Sequence, residues 1–422
     1  MKTFSLKTTQ AAAAVVARLQ QKSTFAETSL KKRILNNNHR LNKFADKLKK
    51  ASILTRNMDY LMQLYTRLFT GGIGSGSNTC SAPKIVCFGN VLLDRTAQLT
   101  DTKLLERFQL ELETKEELDA ETLSRITAEV CECLECRSNP GGSALNSVRI
   151  LRQLGTDVVF FGAVGEDKDA EELQEILRER GVEARLQRVP DAPTGQCICL
   201  VHNETTTLLA NIGASSKFSV DFLRQAERDG TQARPFLRPI ERKQILYMEG
   251  FFVPQREPVI QYIVKQYIYE RRRLALNLSA VYIVQQNYDQ LLFLARNSFF
   301  IFGNRNEFQA LCEQMQCESF EDMARDLIAG GAIKIIIITK GAEGVELITN
   351  FIDEYSKEAG DLTFHSFMAP RVDEVVDTTG AGDAFVAGFL HAFLEKRSLS
   401  ECVRVATDVA SKVVTQIGCN LP

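Results

Sequence analysis

The chain of 422 residues is long enough for two or three average domains, or for one large α/β domain with elaborations. Hydrophobic residues make up 45% and charged residues 25%, and no apolar run approaches the roughly 18 residues of a membrane span, which excludes an integral membrane protein. The net charge of −2 is uneven, because residues 1–80 carry +11 and the remainder −13. With the basic charge confined to this appendage, and without a nucleic-acid-binding motif in the body, we expect no nucleic-acid partner.

The eleven cysteines favour a reducing compartment, since an odd number spread over a long chain does not suggest a disulfide framework. We therefore expect free thiols and a cytoplasmic protein, with the nucleus as a further compartment. Cys131, Cys133 and Cys136 lie close together, but no second Cys or His pair follows at zinc-finger spacing, so we expect no metal there. The first 26 residues are basic and lack acids, which leaves a mitochondrial transit peptide as the alternative.

Residues 1–83 are predicted to form a separate, basic N-terminal extension. Apolar spacing around residues 61–68 indicates a helix, and the Gly/Ser-rich residues 71–77 are typical of a flexible linker. Pro83 then marks the entrance to a second unit, residues 84–422. The extension has two open roles, targeting and docking to an unidentified partner.

From residue 84 onward, short β-branched runs alternate with amphipathic stretches, which is typical of a parallel sheet covered by helices on both faces. The predicted central strands are 85–88, 158–161, 244–248, 274–276, 299–302 and 333–338. The predicted helices between them include 144–154, 170–180 and 258–269. Two further short runs, 197–201 and 205–209, are close enough along the chain to form a hairpin.

The most informative segment, residues 377–385, reads DTTGAGDAF. A Gly-Ala-Gly turn opens an apolar helix there, because three phenylalanines recur at helical spacing after it. The first N–H groups of a helix lack intrahelical acceptors and favour an anion. Asp383 lies at the helix start, where a carboxylate can accept the proton of a substrate hydroxyl. The alternative is that Asp377 or Asp383 only caps the helix.

This segment resembles the C-terminal signature of the ribokinase (PfkB) family of sugar and nucleoside kinases. Five further segments, in chain order, are similar to those of the family members that phosphorylate adenosine. They are GNVLLD at 89–94, GGSALNS at 141–147, NLSA at 277–280, FGNRNE at 302–307 and GCNLP at 418–422. The resemblance implies an α/β, ribokinase-like fold with a mostly parallel sheet and a small β-sheet lid, its strands within about 90–100 and 194–212. It also implies a monomeric kinase that transfers phosphate from ATP, with Mg²⁺, to adenosine.

The resemblance further implies roles for individual residues. Asp383 would be the general base on the 5′ hydroxyl, and Asp94 would bind the ribose 2′ and 3′ hydroxyls. The turn that would stabilise the transferred phosphoryl group consists of Gly380, Ala381 and Gly382. The remaining positions implied to bind the nucleoside are Asn90, Gly141, Gly142, Ser143, Asn146, Cys197, Leu208, Phe251 and Phe252.

On the nucleotide side, the positions implied to bind ATP are Asn304, Thr339, Gly341, Gly344 and Thr379. Asn304 and Glu307 form the Asn-x-x-Glu motif of the family and would act on Mg²⁺ through its hydration shell. Glu117 departs from the family, which often has a glutamine near the base. Because a carboxylate only accepts hydrogen bonds whereas an amide also donates, base specificity is less certain than sugar specificity.

Two other functions stay open. The chain could be another PfkB-type nucleoside or sugar kinase, or a catalytically silent homologue that binds a partner through its basic N-terminus. The four polar positions Asp94, Asn304, Glu307 and Asp383 favour an enzyme. The sequence has no G-x-x-x-x-G-K-[ST] motif, which argues against a P-loop kinase and not against kinase activity.

Overall fold

The structure is a computed structural model that describes residues 84–422 except 109, 113–114, 203–204, 229–243, 269–272, 354–355 and 357. The helices and linker predicted for residues 1–83 lie outside the described residues, so they stay predictions. None of the helices that the structure does describe combines the length and the apolar character needed to cross a membrane.

The described residues form fourteen strands. In chain order they are β1 (Ile85–Phe88), β2 (Leu92–Gln98), β3 (Lys115–Glu117), β4 (Cys136–Gly141), β5 (Val158–Gly165), β6 (Glu183–Val189), β7 (Gly195–His202), β8 (Thr205–Asn211), β9 (Ile245–Glu249), β10 (Arg273–Asn277), β11 (Phe300–Asn304), β12 (Ile335–Thr339), β13 (Val345–Thr349) and β14 (Thr363–Phe367).

The same residues form twelve α-helices. They are α1 (Lys103–Arg107), α2 (Ala120–Cys133), α3 (Ser143–Gln153), α4 (Lys168–Glu179), α5 (Val220–Arg228), α6 (Glu257–Ile263), α7 (Val281–Gln286), α8 (Tyr288–Asn297), α9 (Arg305–Gln314), α10 (Phe320–Leu327), α11 (Ala381–Leu394) and α12 (Leu399–Val413). Short 3₁₀ turns follow β8, β9 and β12, and a π-helical turn continues α6 through Val264–Ile268.

A nine-stranded sheet in the order β14-β13-β12-β11-β10-β9-β1-β5-β6 forms the centre. Seven neighbouring strands of this sheet are parallel, as predicted: β12, β11, β10, β9, β1, β5 and β6. Each predicted central strand is present among them. The sequence prediction missed β6 and the antiparallel pair β13 and β14, which lie towards the two edges. Edge strands are partly exposed to solvent, so they lack the continuous apolar run that marks a strand buried on both faces.

Helices cover both faces of this sheet, and each face has its own hydrophobic core. On one face, α3, α4, α11 and α12 pack against side chains such as Phe160, Tyr247 and Phe300. On the other face, α5, α6, α8, α9 and α10 pack against the alternate residues of the same strands, including Phe161 and Met248. The alternation follows from the two-residue period of a strand, and it produces a three-layer α/β/α fold.

A second, smaller sheet contains β3, β8, β7, β2 and β4, in that order. The predicted hairpin is confirmed, because β7 and β8 are antiparallel neighbours. Ile198, Leu200 and Leu209 on one face of this sheet pack against the apolar side of α2. The small separate sheet expected from the family resemblance is therefore present.

One expectation about the cysteines is wrong. Cys131 at the end of α2 and Cys136 at the start of β4 form a disulfide, whereas the sequence favoured free thiols. Neither a zinc-finger spacing nor a pairing pattern in the sequence reveals this contact, because it depends on how α2 turns back onto the small sheet. The other eight described cysteines are free thiols.

Lys334 provides a stability test of the large sheet. Its side chain is buried just before β12, and its ammonium donates hydrogen bonds to the carbonyls of Ala295 (3.0 Å), Arg296 (2.9 Å) and Ser298 (2.7 Å) at the end of α8. Replacing Lys334 by Met keeps the apolar stem but leaves these acceptors without that donor. We expect the free energy of unfolding in urea to fall by about 2–4 kcal/mol.

The matched control is Lys412→Met, which removes an exposed ammonium paired with Asp408. Because exposed ion pairs contribute about 1 kcal/mol or less, this change should be small. Equal losses in the two variants would show that the Lys334 hydrogen bonds do not stabilise the sheet.

Candidate active site

The parallel strands end at one edge of the large sheet, and polar residues gather there. Asn90 follows β1, Glu249 ends β9 and Asn277 ends β10, directly beside Glu249. Asn304 ends β11 and pairs with Thr339 at the end of β12. In open α/β sheets, ligands bind outside the carboxyl ends of the strands. The motifs singled out from the sequence are therefore collected at the edge where a ligand site is expected.

The turn before α11 has a fixed shape. Gly380 adopts φ +77°, and a Cβ on it would lie 2.4 Å from the Cβ of Cys419, so only glycine fits. The Asp377 carboxylate accepts hydrogen bonds from the N–H groups of Thr379 (2.8 Å) and Gly418 (2.9 Å). Asp377 thus fixes the turn before the helix, but it does not cap α11, whose N-cap residue is Gly380 without a side-chain hydrogen bond.

Asp383 has a different position, because its carboxylate faces α3 and does not cap its own helix. Ser143 Oγ donates a hydrogen bond to Oδ1 (2.6 Å), and Asn146 Nδ2 donates to Oδ2 (3.0 Å). Burial raises the pKa of Asp383 to about 6, while these hydrogen bonds and the charge of Arg149 oppose the rise. Asp383 is therefore a mostly ionised but weakly solvated carboxylate at neutral pH, which suits a general base.

The anion-binding character of the turn follows from the helix itself. The N–H of Ala381 donates to the carbonyl of Thr378 (3.2 Å), which closes the turn. The next amides, those of Gly382 and Asp383, belong to the group for which an α-helix provides no acceptor. A Cβ on Gly382 would have no heavy atom within 4 Å, so the turn has open space beside it. Open space next to a helix N-terminus can receive a phosphate.

Asp94 lies on β2 of the small sheet, close enough to Asp383 for the two charges to interact. A Cβ on Gly141 would lie 1.9 Å from Oδ1 of Asp94, so the glycine allows the carboxylate to pack against the backbone of β4. Burial raises the pKa of Asp94 to about 7; the charge of Arg149 lowers it and that of Asp383 raises it further. Its Oδ1 is buried and has no hydrogen-bond partner within the described residues. A buried acceptor without a donor is suited to a ligand hydroxyl.

The small sheet presents one face to this site. Asp94 on β2 is paired with Cys197 on β7, and Leu208 on β8 is paired with Cys199 on β7. Because Cys197 and Cys199 are two residues apart, the side chains of all four residues lie on the same face of the sheet, opposite the face that packs on α2. The sequence-predicted positions Asp94, Cys197 and Leu208 are therefore brought to the same surface.

Phe251 and Phe252, the two aromatic residues predicted to bind the nucleoside, differ in burial. Phe252 is fully buried, and the guanidinium of Arg256 lies 4.6 Å from the centre of its ring. Phe251 is only partly buried, and its ring centre is 6.3 Å from that of Tyr282. Phe251 and Tyr282 are thus neighbouring aromatic side chains that stay partly exposed, and the sequence analysis missed Tyr282.

On the nucleotide side, Asn304 and Glu307 form a capping box at the start of α9. The Asn304 side chain accepts from the Glu307 N–H, while the Glu307 carboxylate accepts from the Asn304 N–H (2.9 Å) and from Nδ2 (2.7 Å). Across the described residues, no group of three His, Cys, Asp or Glu side chains could hold a metal ion directly. Carboxylate oxygens accept more than one hydrogen bond, so this pair fits a hydrated Mg²⁺ through its water molecules.

The loop after β12 lies beside Asn304, because Thr339 at the end of β12 is paired with Asn304. Thr339 Oγ1 donates to the carbonyl of Gly303 (3.3 Å), which joins the ends of β11 and β12. The 3₁₀ turn Gly341–Glu343 and Gly344 follow immediately. Thr379, in the turn before α11, is anchored through its N–H as described above. The nucleotide positions inferred from the sequence therefore lie at the ends of adjacent strands and at the α11 turn.

Two buried arginines, which the sequence analysis missed, hold the irregular backbone of the site. Arg149 donates to Asn146 Oδ1 and to the carbonyl of Cys419, both at 3.0 Å. Arg256 donates to Asn90 Oδ1 (2.8 Å) and to the carbonyl of Phe252 (2.7 Å). Arg149 interrupts the apolar face of α3 in the sequence, a signal that could have revealed it.

The fold and the site define a PfkB-type kinase. Residues 113–422 match the sequence profile of the pfkB family carbohydrate kinases, and the chain belongs to this family.

Among its relatives, adenosine kinase 2 of Arabidopsis thaliana is 26% identical over 346 residues, which cover 79% of this chain and 94% of that protein. Adenosine kinase of Saccharomyces cerevisiae is 26% identical over 352 residues, or 81% and 97% of the two chains. The solved structure of Anopheles gambiae adenosine kinase in complex with P1,P4-di(adenosine-5) tetraphosphate has a TM-score of 0.67 and 27% identity, and covers 80% of this chain and 97% of that one.

The buried state of Asp94 predicts how stability depends on pH. The pKa of Asp94 in the folded protein, about 7, lies above the ordinary value of 3.8. The protonated side chain is therefore favoured in the folded state, and the stability that it contributes at low pH is lost as the pH rises towards 7. Asp94→Asn has no such titration. We expect this variant, without ligands, to gain stability relative to the parent between about pH 4 and pH 7, by up to a few kcal/mol.

Thermal unfolding from pH 4 to pH 8 measures the difference. Asp408→Asn, which changes an exposed carboxylate on α12, serves as the control and should follow the parent closely. A constant difference between Asp94→Asn and the parent across this range would mean that Asp94 has an ordinary pKa in the folded protein.

Proposed function

We propose that the protein is an adenosine kinase, which converts ATP and adenosine into ADP and AMP in purine salvage. The observation that carries the proposal is the buried Asp383 carboxylate, oriented by Ser143 and Asn146 beside the α11 turn. The relatives named adenosine kinase, at 23–26% identity over most of their length, support adenosine as the acceptor. A cytoplasmic location and a monomeric state stay predictions.

In the proposed mechanism, Asp383 accepts the proton of the 5′ hydroxyl as its oxygen attacks the terminal phosphorus of ATP. The new O–P bond forms while the bond between that phosphorus and the bridging oxygen breaks, and ADP leaves. The amides of the turn 380–382 would stabilise the negative charge on the transferred group. ATP would bring Mg²⁺ to neutralise the phosphates, with Asn304 and Glu307 binding its hydration water.

The small sheet would hold the nucleoside. Asp94 would accept hydrogen bonds from the two ribose hydroxyls, and the partly buried Phe251 would stack on the base. Closing the small sheet over the ligand would exclude water from the reacting groups, which favours transfer to the hydroxyl over hydrolysis of ATP.

Another nucleoside or sugar kinase is the second candidate, and Glu117 is the observation that favours it. Glu117 ends β3, beside Ala210 on the edge of the small sheet, and its charge acts on Tyr282 and Arg256. A carboxylate near the base would accept the adenine amino group, but it would also accept N–H groups of other bases. The site would therefore discriminate less strongly between different bases than between substrates with and without a ribose diol.

A substrate panel tests the proposal. With ATP and Mg²⁺, we expect kcat/KM to be highest for adenosine among adenosine, inosine, ribose and fructose. A higher value for inosine or a free sugar would assign the protein to the second candidate function. Turnover of none of the four by folded protein would contradict adenosine kinase activity.

Asp383→Asn tests the general base. Because the amide keeps the size and polarity of the side chain but cannot accept a proton, we expect kcat to fall by roughly two to four orders of magnitude with little change in adenosine binding. Steady-state kinetics and calorimetric titration with adenosine measure the two quantities. A variant that keeps most of its kcat would remove Asp383 from the mechanism.

Asp94→Ala tests the ribose contact. Without this acceptor, adenosine binding should weaken, and the preference for adenosine over 2′-deoxyadenosine should shrink. The ratio of the two kcat/KM values, compared with the ratio for the parent, gives the result. A ratio equal to that of the parent would show that another group recognises the diol.

A further inference from the structure

Glu249 is a fully buried acid that the mechanism above does not use. It is the last residue of β9, two positions after Tyr247, so both side chains leave the same face of the strand. Tyr247 packs in the core formed with α3 and α11. Glu249 therefore points beneath the start of these two helices, where Ser143 and Asp383 lie. A Cβ on the neighbouring Gly89 would be 3.4 Å from Oε1, so this glycine leaves room for the carboxyl group.

Neither oxygen of Glu249 makes a hydrogen bond of ordinary geometry within the described residues. A buried carboxyl group without partners destabilises the fold, so its presence requires an explanation. Ser143 and the N–H of Asn90 lie within reach of the carboxyl group, and hydrogen bonding from both acts to lower its pKa. Ser143 is also the residue whose hydroxyl donates to Asp383, so one hydroxyl lies between two buried acids.

The charged and titratable groups around Glu249 come from several elements. Asp383 faces it from α11, Arg256 from the segment before α6 and Tyr282 from α7, while Tyr247 lies on the same strand. Burial, followed by the charge of Asp383, raises the pKa of Glu249 to about 8, and Arg256 opposes the rise. Near neutral pH the site therefore holds a protonated Glu249 and an ionised Asp383.

We propose that Glu249 is a positioning residue for Asp383 and acts through the hydroxyl of Ser143. The inference rests on the proposed role of Asp383 as the general base. As a neutral acid, Glu249 donates its proton in a hydrogen bond to Ser143 Oγ, and Ser143 then donates its own hydrogen to Asp383. When Glu249 loses its proton to solvent, Ser143 faces two carboxylates and can donate to only one of them. Asp383 then keeps the hydrogen bond from Asn146 but loses that from Ser143 in part of the molecules, so it is less well oriented and kcat falls.

The test is the pH dependence of kcat for adenosine in the parent and in Glu249→Gln. In the parent, kcat should rise as Asp383 ionises and fall severalfold above about pH 8 as Glu249 ionises. The glutamine amide does not titrate and can donate to Ser143 at every pH. We therefore expect Glu249→Gln to keep the rise at low pH and to lose the fall at high pH. A fall that persists unchanged in the variant overturns the proposal.

Ser143→Ala is a second variant that tests the role of Glu249, and it can be used even if Glu249→Gln does not fold. Without the hydroxyl, Glu249 has no group through which to act, so this variant should also lack the fall above pH 8. Adding Glu249→Gln to Ser143→Ala should then change kcat little further. Fully additive effects of the two substitutions, or a higher KM for adenosine with an unchanged pH profile, would instead mean that Glu249 acts independently of Ser143.

Tyr247→Phe is the matched control, because it alters the same strand face without removing a group that titrates between pH 6 and pH 9. Its profile should keep the fall at high pH. Failure of the inference differs from failure of the proposed function. If Asp383→Asn retains its kcat, the general-base role fails; if Asp383→Asn is inactive while Glu249→Gln keeps the full parental profile, only the role of Glu249 fails.

Discussion

The contact between the N-termini of α3 and α11 is the interaction on which the site depends. Ser143 and Asn146 of one helix orient Asp383 of the other, and Ser147 Oγ donates to the Asp383 carbonyl (3.0 Å). These contacts are possible because both helices begin with a glycine turn and pack on the same face of the sheet. The side chains that hold the carboxylate are Ser143, directly after Gly142, and Asn146, one helical turn further on. Position and ionisation of Asp383 are thus set by the same packing.

This arrangement concentrates ionisable groups where water is scarce. Asp94, Glu249 and Asp383 all have raised pKa values because they are buried, and Arg149 and Arg256 have pKa values lowered to about 10 for the same reason. The arginines stay charged at neutral pH and donate to backbone carbonyls and to the side-chain oxygens of Asn146 and Asn90, so they contribute positive charge at fixed positions. Buried acids of different pKa in one cleft are typical of sites that transfer protons.

The sequence predicted the central strands well, because strands buried on both faces, such as β12 with its four consecutive isoleucines, have a continuous apolar pattern. It predicted Asp383 because the glycine turn and the acid are adjacent along the chain. It missed Glu249, Arg149 and Arg256. Arg149 donates to Cys419 and Arg256 donates to Asn90, contacts across 270 and 166 positions that local pattern does not reveal. The one local signal is the charge of Arg149 on the apolar face of α3. The disulfide joins Cys131 and Cys136, which are close in sequence, but it depends on how the chain turns from α2 into β4.

The segment around Cys419 links two helices that are far apart along the chain. Arg149 donates to the carbonyl of Cys419, a contact across 270 positions, and Cys419 packs against the turn at Gly380. Without this segment, the Arg149 guanidinium would lose one of its acceptors and the turn would lose its contact with Cys419. The strands of the large sheet come from other segments and do not depend on it. Removal of residues 418–422 should therefore leave much of the fold in place while the turn before α11 loses its support.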